Sequence, residues 1–300
     1  MVSTPERVFI IGGTGNVGQK TVEELLAKKI PVTLYARNPS KVANLFPKYD
    51  GDNELLSVVQ GDINDLAPLQ AALPGHSRLF LLINDLLNLP TLKESIAKLA
   101  YDAGIQQIVD ISSLSVSFPW RNNFIGYQHY LAEKKVLDLA EENKRSFVAL
   151  RPGRFMSNIL SFDRPSTEKG VVDTASHDLG QGWISPNDIG AVAAVVLQED
   201  IQKHGNAVYE LIGDVVTPKK RAELFTAIHG RTYAYQQITA LAKYQFLSSL
   251  PQLPLPFNAI YDLCTVVETT AVVTPGISIL LGREPETLEQ FIIATKSAFV

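Results

Sequence analysis

Cysteine, excess charge of one sign and long apolar runs are all scarce in this chain of 300 residues. The one cysteine, Cys264, has no partner for an intrachain disulfide, as expected in a reducing compartment. Lysine and arginine number 27 against 31 acidic residues, and this net charge of −4 argues against nucleic acid or an anionic membrane as a partner. No apolar run approaches the roughly 18 residues of a membrane span, and the first strand pattern begins too early to leave room for a signal peptide. We therefore expect a soluble, cytoplasmic protein.

The chain also lacks the signatures of several enzyme classes. Its five histidines are scattered, and histidine and cysteine nowhere have metal-ligand spacing, so no metal site is expected. Neither a Gly-x-Ser-x-Gly nucleophile elbow nor a phosphate-binding Walker loop occurs. Hydrolysis through an activated serine and P-loop nucleotide hydrolysis are therefore not indicated.

Short apolar runs alternate with helical patterns through the first half of the chain. The runs are rich in Val, Ile and Leu, as in strands that are buried on both faces of a parallel sheet. Their alternation with helices predicts an α/β fold, a Rossmann-type doubly wound parallel sheet whose strand carboxyl ends form one ligand-binding edge. Strands are predicted over residues 8–11, 32–36, 55–59, 79–83, 108–111 and 147–150. Helices are predicted over about 17–28, 40–46, 65–73, 90–103 and 126–143.

A glycine-rich turn joins the first predicted strand to the first helix. It reads Gly-Gly-Thr-Gly-Asn-Val-Gly and directly follows the apolar run Val-Phe-Ile-Ile. Glycines permit a tight turn and a close approach of backbone N–H groups to a diphosphate, and the helix N-terminus adds a partial positive charge. The strand–turn–helix context predicts a dinucleotide site rather than an ordinary turn. The residues expected at the diphosphate are Gly12, Gly13, Thr14, Gly15, Asn16, Val17 and Gly18.

The end of the second predicted strand bears on which dinucleotide is bound. Folds that prefer NAD place a carboxylate there, which bonds the ribose 2′-hydroxyl. Here the strand ends at Arg37, whose guanidinium would pair with a 2′-phosphate, and Lys41 could reach the same anion. The pattern favours NADP(H) over NAD(H); the alternative is that Arg37 is a solvated charge at a strand end.

Further cofactor-binding positions are expected where later strands end. Asp62, with Ile63 beside it, follows the third strand and is expected near the adenine, unless Asp62 is only a turn residue. Asn84 follows the fourth strand and is expected near the nicotinamide ribose. Pro152 and Gly153 follow the sixth strand, where their backbone would pack against the nicotinamide.

The alternation loosens beyond residue 150. Residues 158–182 are polar and contain glycine, which is typical of a substrate loop or a short hairpin. Further helices are predicted over 186–197, 218–228 and 287–298, a strand over 207–212, and a mostly helical cap over the proline-interrupted 240–282. The prediction is a Rossmann nucleotide-binding domain of residues 1–157 with about 183–215, and a smaller, mostly helical C-terminal lobe of residues 158–182 and 216–300.

Several motifs are spread over nearly the whole chain. They are the glycine turn at 12–18, Ala-Arg-Asn-Pro-Ser-Lys at 36–41, Gly-Asp-Ile-Asn-Asp at 61–65, Arg-Pro-Gly-Arg-Phe-Met-Ser-Asn at 151–158, Ile-Ser-Pro-Asn-Asp-Ile-Gly at 184–190 and Gly-Arg-Glu-Pro-Glu-Thr-Leu at 282–288. Together they resemble the NmrA-like branch of the atypical short-chain dehydrogenases/reductases. That branch contains NAD(P)H-dependent quinone and dye reductases and non-catalytic redox-sensing regulators. The resemblance implies a Rossmann core, a smaller C-terminal lobe and a bound nicotinamide cofactor.

The same resemblance directs attention to the helix predicted over 126–143. Most enzymes of the wider superfamily use a Tyr-x-x-x-Lys pair on this helix. The sequence offers two overlapping pairs at i, i+4 spacing, Tyr130 with Lys134 and His129 with Glu133. At about 100° per residue, the apolar arc of the helix favours His129 and Glu133 as the inward pair. NmrA-like reductases similarly often have histidine in place of the tyrosine.

These residues suggest hydride transfer assisted by a proton donor or by a group that orients the acceptor. A neutral imidazole at His129 could do either, with Glu133 holding its ring; alternatively, His129 is a hydrogen-bonded structural residue. Ser112 and Ser113 end the fifth strand. One of them is expected to bond the substrate carbonyl, unless both only cap backbone groups.

Taken together, the sequence favours an NADP(H)-dependent reductase of an apolar carbonyl, quinone or conjugated enone. The small apolar substrate is expected under the 158–182 loop and the C-terminal lobe. The alternative is a regulator that senses NADP(H) and binds a protein partner without turnover, because a clear inward Tyr/Lys pair is absent. Both a homodimer and a regulatory protein partner are compatible with the sequence.

Overall fold

The centre of the fold is a seven-stranded sheet in which neighbouring strands run parallel. The computed structural model describes residues 6–166, 168–250, 255–266 and 270–299. The strands are β1 (Val8–Ile11), β2 (Val32–Ala36), β3 (Leu56–Gln60), β4 (Arg78–Leu81), β5 (Gln107–Ile111), β6 (Ser146–Pro152), β7 (Arg154–Phe155), β8 (Val171–Asp173), β9 (Gln181–Ile184), β10 (Val208–Leu211), β11 (Asp214–Val216) and β12 (Tyr235–Gln237). The order across the large sheet is β3-β2-β1-β4-β5-β6-β10.

Helices cover both faces of this sheet. They are α1 (Asn16–Ala27), α2 (Pro39–Leu45), α3 (Ala67–Ala72), α4 (Leu89–Asp102), α5 (Phe124–Glu142), α6 (Pro186–Val196), α7 (Ile201–His204), α8 (Pro218–His229), α9 (Ala240–Ser248), α10 (Phe257–Thr265), α11 (Gly276–Leu281) and α12 (Leu288–Ala294). The apolar stripes of α1 and α6 pack on one face and those of α4 and α5 on the other, which gives a separate core on each side of the sheet.

The central strands are continuously apolar because both of their faces are covered. All residues of β1, β2, β4 and β5 are buried, whereas the edge strand β3 exposes part of its length. The strand order reverses direction between β1 and β4, so the chain segments that leave these two strands diverge and open a crevice at their carboxyl ends. The predicted fold class, a Rossmann-type parallel sheet with a helical C-terminal region, is confirmed.

Most predicted elements of the first half agree with the structure to within two residues. The helix predicted over 287–298 is wrong in its extent, because α12 ends at Ala294 and Lys296–Phe299 form a separate 3₁₀ turn. The interruption lies at Thr295, whose hydroxyl donates to the Phe291 carbonyl oxygen at 2.8 Å. A threonine that bonds the preceding turn in this way competes with helix continuation.

A second, smaller core lies beside the large sheet and is built around charged groups. Its centre is the fully buried Trp183, and the guanidinium carbons of Arg154 and Arg221 lie 4.7 and 5.2 Å from the centroid of its ring. Arg154 forks onto Asp163 at 2.9 and 2.6 Å and also bonds Asp173 at 3.0 Å. Burial would raise the pKa of Asp173, but the two arginines hold it well below its usual value. These contacts fasten the polar segment after β7 to α8.

Within the described ranges, no helix combines the length and the apolarity that crossing a bilayer requires.

Gly18 determines how closely α1 packs on the preceding turn. A Cβ built on Gly18 would lie 2.2 Å from the Gly12 carbonyl oxygen and 2.7 Å from the Gly13 Cα, so backbone must move to accept it. We expect Gly18→Ala to lower the free energy of unfolding by about 1–3 kcal/mol in urea denaturation. Gly276→Ala is the control, because its Cβ meets nothing within 4 Å. Equal stability of the two variants would contradict this close packing.

Candidate active site

The glycine turn between β1 and α1 forms one wall of the crevice. Gly12 has a φ of +89°, and a Cβ there would lie 2.7 Å from the Leu82 carbonyl oxygen, just beyond β4. A Cβ on Gly13 would lie 2.3 Å from Leu34 Cδ2. Gly15 differs, since its Cβ would meet only the Gly12 carbonyl oxygen at 3.7 Å. Chain packing therefore explains the first two glycines, whereas Gly15 is exposed and leaves space for a ligand to approach the backbone.

The N-terminus of α1 presents N–H groups that the helix itself does not use. The first backbone bond into the helix runs from the Gln19 amide to the Gly15 carbonyl oxygen at 2.7 Å, so the amides of Asn16, Val17 and Gly18 precede the helical ladder. Gly15 offers no side-chain cap, and the first turn carries no acidic residue. Together with the helix dipole, this is a donor-rich, partly positive surface, which fits the diphosphate of a dinucleotide.

Arg37 follows β2 at the same edge of the sheet. Its side chain is 83 % exposed, and its Nε lies 4.0 Å from Asp62 Oδ2, a long contact that leaves the guanidinium accessible. The Asp62 carboxylate is also held by Asn64, through the amide N–H at 2.9 Å and the side chain at 2.7 Å. Lys41 is exposed on α2 and Ile63 is half-buried. The structure thus brings a cation and a carboxylate together where the adenosine of a bound dinucleotide would lie in this fold.

The remaining expected cofactor positions also lie beyond strand carboxyl ends. Asn84 is exposed in the segment after β4, and Thr14 is half-exposed in the glycine turn. Pro152 ends β6 and is buried, while the Gly153 amide donates to the Leu211 carbonyl oxygen at 2.9 Å. The predicted cofactor residues therefore follow β1, β2, β3, β4 and β6, along one edge of the sheet.

Helix α5 places the two candidate pairs on different faces. The Tyr130 ring is 38 % exposed, and the exposed Lys134 ammonium pairs with Asp138 at 2.6 Å. Glu133 is buried and the His129 ring is half-buried. The pair that faces the sheet is thus His129 and Glu133, and the outward pair is Tyr130 and Lys134.

The Glu133 carboxylate is fixed to two neighbouring strand ends. The Ser112 hydroxyl donates to Oε1, and Arg151 forks onto the carboxylate through Nε to Oε1 at 3.0 Å and Nη2 to Oε2 at 2.5 Å. Arg151 Nη1 also donates to the Ser117 hydroxyl oxygen at 3.2 Å. The expectation that Glu133 holds the His129 ring is therefore wrong. An arginine fork satisfies both carboxylate oxygens more fully than one imidazole N–H could.

His129 lies near a buried ion pair. The Lys93 ammonium donates to Asp110 Oδ2 at 2.8 Å and to the Ile111 carbonyl oxygen at 3.0 Å, and it lies 2.7 Å from Asp110 Oδ1. Burial, with the positive charge of Lys93 added, holds the pKa of His129 well below its usual value. The imidazole is therefore uncharged near neutral pH. Its Nδ1 is shielded from solvent and has no hydrogen-bond partner among the described residues.

The two serines after β5 have different roles in the structure. Ser112 is buried and donates to Glu133. Ser113 is half-buried, and its hydroxyl oxygen accepts from the Ser115 amide at 3.2 Å, which caps the 3₁₀ turn Leu114–Ser117. A capping serine keeps its own O–H free to donate, so a bond from Ser113 to a substrate carbonyl stays a prediction.

Sequence reasoning missed three charged residues of this region, Arg151, Lys93 and Asp110. A signal for the ion pair was present, because Lys93 falls on the apolar stripe of α4 with Ile96 and Ala97. Asp110 likewise interrupts a strand that is otherwise buried and largely apolar. Charges in such positions are almost never buried unless they are paired. No comparable pattern in the sequence indicates that Arg151 meets Glu133.

Among the residues that the structure describes, no group of three or more His, Cys, Asp or Glu side chains is arranged to hold a metal ion.

The Arg151–Glu133 contact can be tested by removing the cation alone. Arg151→Met leaves the largely buried Glu133 carboxylate without its main partner, and we expect the free energy of unfolding to fall by about 2–3 kcal/mol. Lys134→Met is the matched control, because it removes the cation of an exposed carboxylate pair on the same helix. Its melting temperature should stay close to that of the native chain. Similar losses in both variants would show that the fork contributes no more than a surface pair.

The chain is similar to known NAD(P)H-binding proteins and reductases. A family model described as NAD(P)H-binding matches residues 12–200. A (4-alkanoyl-5-oxo-2,5-dihydrofuran-3-yl)methyl phosphate reductase from Streptomyces griseus is 30% identical over 234 residues, 77% of each chain. NAD(P)H azoreductase from Xenophilus azovorans is 24% identical over 299 residues, which cover 97% of this chain and 99% of the relative. An NADPH-dependent quinone oxidoreductase of Escherichia coli superposes with a TM-score of 0.76 at 25% identity, covering 96% of this chain and 99% of that structure.

Proposed function

Because the chain belongs to the NAD(P)H-binding family, we propose that it is an NADP(H)-dependent reductase. The acceptor is an apolar carbonyl, quinone or conjugated enone. One observation carries the proposal: the donor-rich turn 12–18 and the His129–Glu133 face of α5 meet the same carboxyl edge of the sheet. A dinucleotide along that edge, when bound, supplies the hydride.

The relatives support a reductase rather than a regulator. The Streptomyces griseus and Xenophilus azovorans relatives are both named as reductases, and the Escherichia coli structure is named as a quinone oxidoreductase. Their named substrates differ from one another, so they support the reaction type more strongly than any single acceptor. We therefore propose the acceptor as a class, and we place the protein in the cytoplasm, where a nicotinamide-dependent reductase meets its cofactor.

Different groups of the chain bind different parts of the cofactor. The amides of Asn16, Val17 and Gly18 bind the diphosphate, and the backbone of Pro152 and Gly153 packs beside the nicotinamide. Arg37 pairs with the 2′-phosphate, a doubly charged anion that attracts the guanidinium more strongly than the exposed, distant Asp62 carboxylate does. The preference is accordingly for NADP(H) over NAD(H).

His129 acts on the acceptor as a neutral group. With its pKa held well below the usual value by burial and by Lys93, the imidazole carries no spare proton near neutral pH. It therefore orients the acceptor oxygen through an N–H, and solvent supplies the proton that follows hydride transfer. Glu133 and Arg151 act as positioning residues, because they fix the rotation of α5 against the ends of β5 and β6.

The reductase is tested by NADPH consumption with a panel of quinones, enones and aldehydes. We expect turnover with at least one quinone or enone, and a fall in kcat of about tenfold or more in His129→Gln. In the native protein, kcat should not decline as pH rises from about 6 to 8, because no imidazolium is lost. Tyr130→Phe is the comparison on the outward face.

Two outcomes would contradict this proposal at different levels. If calorimetry detects NADPH binding and no acceptor raises turnover above background, the non-catalytic regulator is the better reading. If Tyr130→Phe abolishes turnover and His129→Gln does not, the reductase stands and the assigned pair is wrong.

The cofactor preference is tested by reversing the charge at residue 37. We expect Arg37→Asp to raise the Kd for NADPH by about tenfold or more and to leave the Kd for NADH nearly unchanged, as measured by calorimetry. Lys29→Asp is the control, since Lys29 is an exposed cation at the opposite end of β2. An equal loss for both nucleotides in Arg37→Asp would show that Arg37 does not read the 2′-phosphate.

A further inference from the structure

An aromatic pocket lies between the chain segment after β5 and the first turns of α5. Its walls include the rings of Phe118, Trp120, Tyr127 and Tyr130. Trp120 is 69 % exposed, an unusual state for the largest apolar side chain. An indole held open to solvent beside three further rings offers faces on which a planar molecule can stack.

Arg121 supplies the one full charge among the residues that line this pocket. Its guanidinium carbon lies 5.5 Å from the Trp120 ring centroid and 5.9 Å from that of Tyr127. Within the described ranges it makes no ion pair with a carboxylate. Its φ of +59° is a left-handed conformation that costs free energy in a residue other than glycine. The backbone therefore holds a cation without an anionic partner against two aromatic rings.

The pocket adjoins the reaction edge through α5. A Cβ on Gly126 would lie 2.3 Å from the Ser115 carbonyl oxygen, so the 3₁₀ turn packs directly on the helix. Gly126 and Glu133 lie two turns apart on the buried side of α5, and the exposed Tyr130 lies on the neighbouring face, in the wall of the pocket. Ser117, at the end of the 3₁₀ turn, accepts from Arg151, the residue that forks onto Glu133. One wall of the pocket is thus bonded to the groups that position α5.

The charge of Arg121 makes this pocket favour an anion, because the nearby helix end adds no free charge. The N-terminal end of α5 lies in the wall of the pocket, and polar groups already satisfy the positive end of its dipole. Asn123 caps this end by accepting from the Gly126 amide at 2.6 Å, and the Asp262 carboxylate accepts from the Phe124 amide. Because Asp262 is engaged by the helix N-terminus, Arg121 is left as the charge that faces a ligand.

We propose that this pocket holds the acceptor of the reductase, and that among carbonyls, quinones and enones with an apolar ring system it selects planar aromatic ones whose ring also bears a carboxylate or sulfonate. That the ligand is the acceptor rests on the proposed function. The chemical class of the ligand is inferred from the pocket alone. The ring system stacks on Trp120 and the tyrosines, and the anionic substituent pairs with Arg121.

The ligand chemistry is tested by calorimetry without turnover. The full chain, saturated with NADP⁺, is titrated with 2-naphthalenesulfonate and with the neutral 2-naphthalenemethanol. We expect the sulfonate to bind more tightly, and Arg121→Gln to lower the sulfonate-to-alcohol affinity ratio by about fivefold, the size of an exposed cation contact. Trp120→Leu should weaken both ligands, because both stack on the indole.

Lys144→Gln is the matched control for the charge. Lys144 is also exposed and has a φ of +55°, and it lies just beyond the opposite end of α5. This variant should keep the native affinity ratio. An unchanged ratio in Arg121→Gln, an equal loss for both ligands, or no measurable heat with the sulfonate would overturn the inference.

A kinetic measurement separates this inference from the proposed function. NADPH oxidation is followed with 1,2-naphthoquinone and with its 4-sulfonate, and Arg121→Gln should raise the KM of the sulfonated quinone more than that of the neutral one. If neither quinone is reduced and sulfonate binding still depends on Arg121, the pocket stands and the reductase proposal fails. If both quinones are reduced and Arg121→Gln leaves the ratio of their KM values unchanged, the reductase stands and the pocket is not its anion site.

Discussion

The arrangement of the candidate site depends on the fork between the Arg151 guanidinium and the Glu133 carboxylate. Glu133 belongs to α5 and Arg151 to β6, and Ser112, just beyond β5, donates to the same carboxylate. These bonds fix the rotation of α5 about its axis, which turns His129 toward the sheet. Removing a charge of this kind from water is unfavourable unless its partner is present. Each of the two residues therefore stabilises the site only when the other is there.

Burial of charge recurs in the molecule with two different consequences. At the carboxyl edge of the sheet, the Lys93–Asp110 pair is fully enclosed, and burial of His129, with the positive charge of Lys93 added, keeps the imidazole neutral. In the second core, Arg154 and Arg221 lie against the Trp183 ring, and Arg154 holds the segment after β7 in place. The first arrangement affects the chemistry of a side chain, and the second affects only where a segment of chain lies.

The match to an NAD(P)H-binding family and the fold agree with the predicted resemblance to the NmrA-like branch of the atypical short-chain dehydrogenases/reductases. Within that fold, the helix that carries a Tyr-x-x-x-Lys pair in most of the superfamily here turns such a pair toward solvent. The inward positions hold a histidine and a glutamate instead. Because the glutamate is engaged by Arg151, we regard this pair as an oriented imidazole with a structural neighbour rather than as a coupled acid and base.

The sequence alone determined the sheet, the glycine turn and the face of α5 that is buried. Each of these depends on local patterns, namely continuous apolar runs, glycine spacing and a helical period, and such patterns act over a few residues. Only the tertiary structure decided that Glu133 meets Arg151 and that Lys93 lies near His129. These pairs join residues 18 and 36 positions apart, on separate elements. Their geometry follows from how helices pack on a sheet, and the spacing of residues along a chain does not contain that information.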